Sequence, residues 1–182
     1  MTSQAFAKLR LAPLEFIQRL GLTSSKEIAG AQLGTPLREY IVPADGLAKF
    51  TATSAPSSLL TGGQTLFYPI LVNGVSRSSV RVSTQPGAQA HVIALGDTAT
   101  AARLAKIPRF SALVGTRSQV SVPAVRVPAL GLYFVGQVSD GTLQIASIFD
   151  VPNLGLKAGR FEDAAVVFTR LAPLAAKVNG TM

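Results

Sequence analysis

The sequence predicts an α+β fold in which two β-hairpins build an antiparallel sheet and helices pack on one face of it. Two pairs of strand-like runs meet at short turns, one at Asn73-Gly74 and one at Ser139-Asp140-Gly141. Capped helical patterns occur in both halves of the chain. The regular alternation of strand and helix that is typical of a parallel sheet is missing.

The N-terminal segment predicts two short helices. Pro13 suits the first position of a helix over 13–20, which Gly21 ends. A second helix begins at Ser24, because Ser24-Ser25-Lys26-Glu27 matches a capping box. Gly34 and Pro36 are expected to end it.

A strand is predicted over Leu37–Val42, where apolar residues occupy both faces. Asp45-Gly46 then indicates a turn, since both residue types favour turn conformations. The stretch from Thr51 to Gly63 is rich in Ser, Thr, Ala and Gly, which predicts a long loop.

The first hairpin, over 64–83, has the strongest local signal. Pro69 cannot donate a hydrogen bond to a neighbouring strand, which places its strand at a sheet edge or on a bulge. In the second strand the side chains alternate, so Ser78, Val80 and Val82 share one face and Arg77, Ser79 and Arg81 the other. We expect the second face to meet solvent or a ligand.

Further elements are predicted to follow in order. Ala88–Leu95 is a strand, and Asp97 or Thr98 caps a helix that runs to about Lys106. A strand-like run over 119–127 comes next, and the runs over 130–138 and 142–149 form the second hairpin. The last helix begins near Phe161, and Pro173 kinks or ends it.

The length of 182 residues fits a single domain, 1–182. Subdomains 1–107 and 108–182 are an alternative, and so is a pseudo-duplicated fold. The pentapeptide Arg10-Leu11-Ala12-Pro13-Leu14 recurs at residues 170–174. A match of five residues in a biased composition also arises by chance.

Composition indicates a basic, soluble chain with ample core material. Hydrophobic residues make up 48%, charged residues 14%, and the formal net charge is +8. The low density of charge favours a mature exported form, periplasmic or secreted, without its signal peptide, although genome base composition explains it equally well. No apolar run is long enough to span a bilayer.

Few side chains capable of catalysis or metal binding are present. The chain has no Cys and one His, His91, which excludes thiol catalysis, disulfides and sites that need two histidines. No phosphate-binding loop or nucleophile elbow occurs. We therefore predict no catalytic residues, no cofactor and no metal, and expect a protein that is not an enzyme. Asp150 is the one acid for which the sequence suggests no local role.

Basic residues supply the remaining signal. The candidate binding face consists of Arg77, Ser79, Arg81, Arg103, Lys106 and Arg109. Helix C-terminal charge compensation explains the last three equally well.

Three functional hypotheses follow. The preferred one is a non-enzymatic interaction domain that binds another protein. The second is a polyanion-binding or nucleic-acid-binding protein that uses the basic face. The third is a serine hydrolase that combines a Ser with His91 and either Asp97 or Asp150. A homodimer formed through an exposed edge strand containing Pro69 is compatible with the first hypothesis.

Overall fold

The computed structural model describes residues 18, 21–107 and 122–180. These residues contain four α-helices and nine β-strands, which are paired antiparallel wherever their register is defined. Helices pack on strands, α3 on β4 and α4 on β8 and β9, and the predicted α+β class is confirmed. The helices are α1 Ser25–Gly30, α2 Ala44–Ala48, α3 Thr98–Leu104 and α4 Ala164–Asn179. The strands are β1 Gln32–Leu33, β2 Leu37–Ile41, β3 Thr61–Val72, β4 Val75–Ser83, β5 His91–Leu95, β6 Val122–Val127, β7 Leu132–Ser139, β8 Thr142–Ser147 and β9 Phe161–Asp163.

The chain groups into two compact units, and each is built from two separate stretches. Unit 1 comprises Met1–Leu37 and Gln64–Ser121, and unit 2 comprises Arg38–Gly63 and Val122–Met182. The expectation of one domain, with subdomains 1–107 and 108–182 as the alternative, stays a prediction. The pseudo-duplication also stays unconfirmed, because residues 10–14 lie outside the described residues.

Unit 1 is organised around the first predicted hairpin, which is confirmed. Strands β3 and β4 pair from Thr65↔Ser83 to Val72↔Val75, so Asn73 and Gly74 form a two-residue turn. Both turn residues have positive φ, 52° and 76°. Asn and Gly are the residue types that adopt this conformation at least cost. Strand β5 then pairs with the other side of β4.

Pro69 does not lie on an edge strand, so that part of the prediction is wrong. Strand β3 pairs with β4 from Thr65 to Val72 and also with β1, and the Gly34 N–H donates to the Pro69 carbonyl at 2.8 Å. The β3–β4 register shifts between Ile70 and Leu71, one residue beyond the proline, which agrees with the other alternative, a bulge in this strand. Pro69 itself pairs in register with Ser79. In unit 1, the described strand at the end of the order is β5.

One core cluster of unit 1 lies on the β4 face that carries Ser78, Val80 and Val82, and Phe67, Ala101 and Leu104 are buried outside it. Its buried hydrophobic residues are Leu22, Ile28, Ala31, Ile70, Val72, Val80 and Val82. The Ser24 cap of α1 is confirmed, since its side chain accepts a hydrogen bond from the Glu27 N–H at 3.2 Å. Helix α1 ends at Gly30, earlier than predicted, because the following residues pair with β3 as β1. The predicted helix over 13–20 lies outside the described residues apart from Gln18, which is helical.

Unit 2 contains the second predicted hairpin, which is also confirmed. Strands β7 and β8 pair up to Ser139↔Thr142, and Asp140 and Gly141 form the turn with φ of 51° and 75°. The strand order is β2-β6-β7-β8-β9. Helix α4 packs on β8, β9 and α2. The buried core residues are Val42, Leu47, Phe50, Leu59, Val125, Val127, Leu132, Phe134, Ile145, Leu156, Ala164, Val167, Phe168, Leu171, Ala172 and Ala175.

Two local predictions in unit 2 are wrong, and one of the two alternatives for Pro173 is excluded. Asp45-Gly46 lies within the short helix α2, where buried Leu47 joins the core. The last helix begins at Ala164 with Asp163 as its cap, because Phe161–Asp163 pairs with β8 as β9. Pro173 does not end that helix, which continues to Asn179. No helix in the described part of the chain is long and apolar enough to cross a membrane.

Candidate binding surface

Arg81 is held in place by contacts within unit 1. Its guanidinium pairs with the Asp97 carboxylate at 3.0 Å and lies 4.9 Å from the centre of the Phe67 ring. Asp97 is also the cap of α3, as predicted, because it accepts a hydrogen bond from the Thr100 N–H at 2.9 Å. Arg81 therefore joins β4 to the start of α3. Because its guanidinium already contacts Asp97 and Phe67, fewer of its donors are available to a partner.

Ser79 contradicts the expectation that its strand face is open to solvent. Its exposed fraction is only 1%. Helix α3 packs on β4, with Ala101 and Leu104 fully buried. Strand alternation predicts that Ser79 shares a face with Arg77 and Arg81, but it cannot show that the helix after β5 packs on this strand. Ser79 is thus removed from the surface available to a partner.

Three of the predicted basic residues are exposed: Arg77, Arg103 and Lys106. A Cβ added at Gly21 would lie 3.0 Å from the Arg77 carbonyl oxygen and 2.7 Å from Cγ2 of Thr98, so Arg77 lies beside the start of α3. Arg103 and Lys106 lie at the other end of α3. The two ends of α3 are roughly 10 Å apart, because an α-helix rises 1.5 Å per residue. We call these three residues the basic surface; Arg109 lies outside the described residues.

Two carboxylates of unit 1 have lowered pKa values. Partial burial raises the pKa of Asp97, but hydrogen bonds from Thr100 and the Arg81 contact outweigh it and lower the pKa overall. Hydrogen bonds from the Thr23 backbone and side chain lower the pKa of Glu27, and Arg77 adds to this effect. Both groups are therefore ionised at neutral pH, and Arg77 has an acidic neighbour.

The positive charge is concentrated in one of the two units. Unit 1 holds ten of the Lys and Arg residues and three of the Asp and Glu residues, a formal net charge of +7. Unit 2 holds the other seven basic and six acidic residues, a net charge of +1. The chain's charge of +8 is therefore almost entirely that of unit 1. Because the two units interleave along the chain, the sequence alone does not show this asymmetry.

The residues of the hydrolase hypothesis each have other partners. His91 is exposed, and its Nδ1 lies 3.2 Å from the Gln89 carbonyl oxygen. Asp97 binds Arg81 and Thr100, as described above. Asp150 in unit 2 accepts a hydrogen bond from the Ala158 N–H at 2.8 Å, which gives this acid the local role that the sequence did not suggest. The structure does not pair any two of these residues by a described hydrogen bond.

A buried polar pair in unit 2 escaped the sequence analysis. The Tyr133 hydroxyl on β7 donates to Oε1 of Glu39 on β2 at 3.0 Å, and Glu39 is only 5% exposed. Strand β6 separates the two strands in the order. The residues are 94 positions apart in sequence, and no local pattern links them. Their burial and hydrogen bond indicate a structural role within unit 2.

Strand β5 is the second feature that the sequence did not reveal. Ile93 is 50% exposed and Leu95 38% exposed, although both are large apolar residues in a strand. Of the β5 residues, Val92 is the one that packs against the described core cluster on the Val80 face of β4. The sequence pattern alone predicts a half-buried strand. The exposure of Ile93 and Leu95 follows from the position of β5 at the end of the strand order, which the sequence does not reveal.

The comparisons with known proteins gave no match to any family model, curated protein or solved structure. Within the described residues, no group of three or more His, Asp or Glu side chains could hold a metal ion.

Proposed function

We propose that this is a non-enzymatic binding protein that holds an anionic macromolecular partner through unit 1. The observation that supports the proposal is the net charge of +7 on this unit, against +1 on the other. A compact unit with this excess attracts anionic partners and accelerates their association. The exposed residues Arg77, Arg103 and Lys106 are the described contact candidates.

The distribution of ion pairs supports the same assignment. In unit 1, Arg81 is compensated by Asp97, and Glu27 lies close enough to Arg77 to interact with it electrostatically. Unit 1 has just one further acidic residue, Glu15, for its other basic side chains. Its excess positive charge therefore has to be balanced by solvent ions or by a partner. Release of such ions on binding makes the affinity depend on salt.

The test uses a matched pair of charge-reversal variants of the full chain. One combines Arg77→Glu with Lys106→Glu in unit 1, and the other combines Lys157→Glu with Arg160→Glu in unit 2. All four residues are exposed, and the two variants have the same net charge. Heparin, single-stranded DNA and polyglutamate serve as anionic probes, each titrated at several NaCl concentrations.

We expect wild type to bind at least one probe with an affinity that falls as salt rises. The unit 1 variant should lose this binding, with a salt slope lower by about one for each contact removed. The unit 2 variant should bind nearly as wild type does. Equal losses in both variants would show that only total charge matters, and unchanged binding by the unit 1 variant would also reject the proposal.

A further inference from the structure

Among the strands that the structure describes, β5 forms an edge without the usual protection. In the order of described strands it follows β4 and has no second neighbour. Its sequence, His91-Val92-Ile93-Ala94-Leu95, contains neither Pro nor Lys, Arg, Asp or Glu. Natural sheets usually protect such edges with charges, proline or very short strands, because a free edge can pair with another chain.

The terminal strand of unit 2 shows the usual protection. Strand β9 has three residues, and two of them, Glu162 and Asp163, are acidic. Asp163 also caps α4, and Glu162 pairs with Arg170 at 3.1 Å. Strand β5 therefore differs from β9: it is longer, and it contains no charged residue.

A bulge directs an apolar side chain outward from β5. The register with β4 passes from Arg81↔Ala94 to Val82↔Val92, which leaves Ile93 as the extra residue. Bulges of this kind change the direction of a side chain. Ile93 is half exposed as a result, and four of the five residues of β5 are exposed. The described elements leave this strand accessible to an incoming chain.

Charge discriminates between the partners that could pair with β5. A second copy of this chain would bring another unit of +7 to the same edge, and the two units would repel. An acidic polypeptide is attracted instead. Strand addition draws affinity from main-chain hydrogen bonds and specificity from alternate side chains, so an uncharged edge suits it.

We propose that β5 binds an extended acidic segment of a partner protein as an additional strand. This inference rests on the proposed function of unit 1 and names the partner's class. Main-chain groups of the segment pair with the free edge of β5. Its apolar residues contact Ile93 and Leu95, and its acidic residues reduce the excess charge of unit 1.

The test compares two peptides that have the same side chains. The first is an eight-residue peptide of alternating Val and Glu with blocked ends. The second has the same sequence with every other backbone nitrogen methylated, which removes hydrogen-bond donors and leaves the charge unchanged. Affinity is measured by calorimetry, and amide hydrogen exchange of residues 91–95 is measured by NMR.

We expect the unmodified peptide to bind at least tenfold more tightly than the methylated one and to slow exchange within β5. Replacing two exposed apolar residues of this strand, Ile93→Ser with Leu95→Ser, should weaken binding at least fivefold. The matched control is Val138→Ser with Val166→Ser, two exposed apolar residues of unit 2. The control variant should bind as wild type does.

The experiments distinguish failure of strand addition from failure of the proposed anionic binding by unit 1. Equal affinity for both peptides, with binding still lost in the unit 1 charge variant, overturns strand addition and leaves the function standing. Equal slowing of β5 exchange by single-stranded DNA also overturns it, in favour of a nucleic acid. Self-association lost on replacing Ile93 and Leu95 overturns it in favour of a second copy. Lack of binding to any anionic probe overturns both proposals.

Discussion

Two serine hydroxyls on β4 are buried without hydrogen bonds. Ser78 pairs with the core residue Ile70, Ser76 is buried as well, and neither Oγ atom has a hydrogen-bond partner among the described residues. A buried hydroxyl of this kind keeps the cost of desolvation without the compensating bond. Ser147 on β8 has a different environment, because its hydroxyl donates to the Phe149 carbonyl at 2.6 Å. The two buried serines, Ser78 and Ser147, therefore form a natural comparison.

Replacing Ser78 should stabilise the protein. Ser78→Ala removes an unpartnered polar atom, so we expect the free energy of unfolding to rise by about 1 kcal/mol. Ser147→Ala removes a satisfied hydrogen bond and should lower it by about 1 kcal/mol. Urea unfolding followed by circular dichroism measures both. A loss of stability in Ser78→Ala as large as that in Ser147→Ala would show that the Ser78 hydroxyl is satisfied in solution.

At the scale of elements, the predictions that were confirmed rest on local chemistry. The turns at Asn73-Gly74 and Asp140-Gly141 require positive φ, and the residue types themselves indicate it. The caps at Ser24 and Asp97 are equally local. Such cues act within a few residues, so the sequence displays them directly.

The predictions that were wrong depend on contacts between distant residues. Helix α2 forms around Asp45-Gly46 because it packs against α4, and the Phe50 ring meets the Phe168 ring edge to face at 5.7 Å. The burial of Ser79 likewise depends on the position of α3. For the candidate site, the sequence identified the basic residues but not which of them a helix covers, nor how the charge is divided between the units.

Pro173 lies inside α4, where a proline has a cost. It removes one main-chain hydrogen bond and its ring crowds the carbonyl of Thr169 one turn earlier. The side chain is exposed, so its own packing offsets little of this cost. The burial of Phe168, Leu171 and Ala175 on the other side of α4 holds the helix together.

Pro173→Ala should therefore stabilise unit 2. We expect a gain of about 1–3 kcal/mol in the free energy of unfolding, since proline is about 3 kcal/mol less favourable than alanine in a helix interior. The control is Pro152→Ala, at the first position of a short 3-10 helix, where proline fits well. That variant should lose about 0.5 kcal/mol. Urea denaturation measures both changes, and a lower midpoint for Pro173→Ala would contradict the expectation.

At the scale of the whole molecule, the charge imbalance affects stability as well as binding. Like charges within a compact unit repel, and dissolved salt screens that repulsion. Unit 1 should experience this repulsion far more strongly than unit 2, because the two net charges are +7 and +1. Salt should therefore act differently on the two units of one chain.

We expect added NaCl to protect the strands of unit 1 preferentially. Between 0.1 and 1 M salt the screening length falls from about 10 Å to about 3 Å. Amide hydrogen exchange in β3 and β4 should slow over this range by a larger factor than exchange in β7 and β8. Pulsed labelling of the full chain, followed by quenching, peptic digestion and mass spectrometry of the peptides, gives both readouts in one sample. Equal slowing in the two pairs of strands would show that repulsion does not limit the stability of unit 1.

The interleaving of the two units also has a consequence during synthesis on the ribosome. Residues 38–63 emerge before residues 122–182, with which they form unit 2. Unit 1 has its full set of residues once Ser121 has been translated, whereas the early part of unit 2 must wait for the rest of the chain. Its apolar side chains, Val42, Leu47 and Phe50 among them, lack their later partners during that interval. The nascent chain is thus open to chaperone capture at this segment, while unit 1 can already complete its own folding.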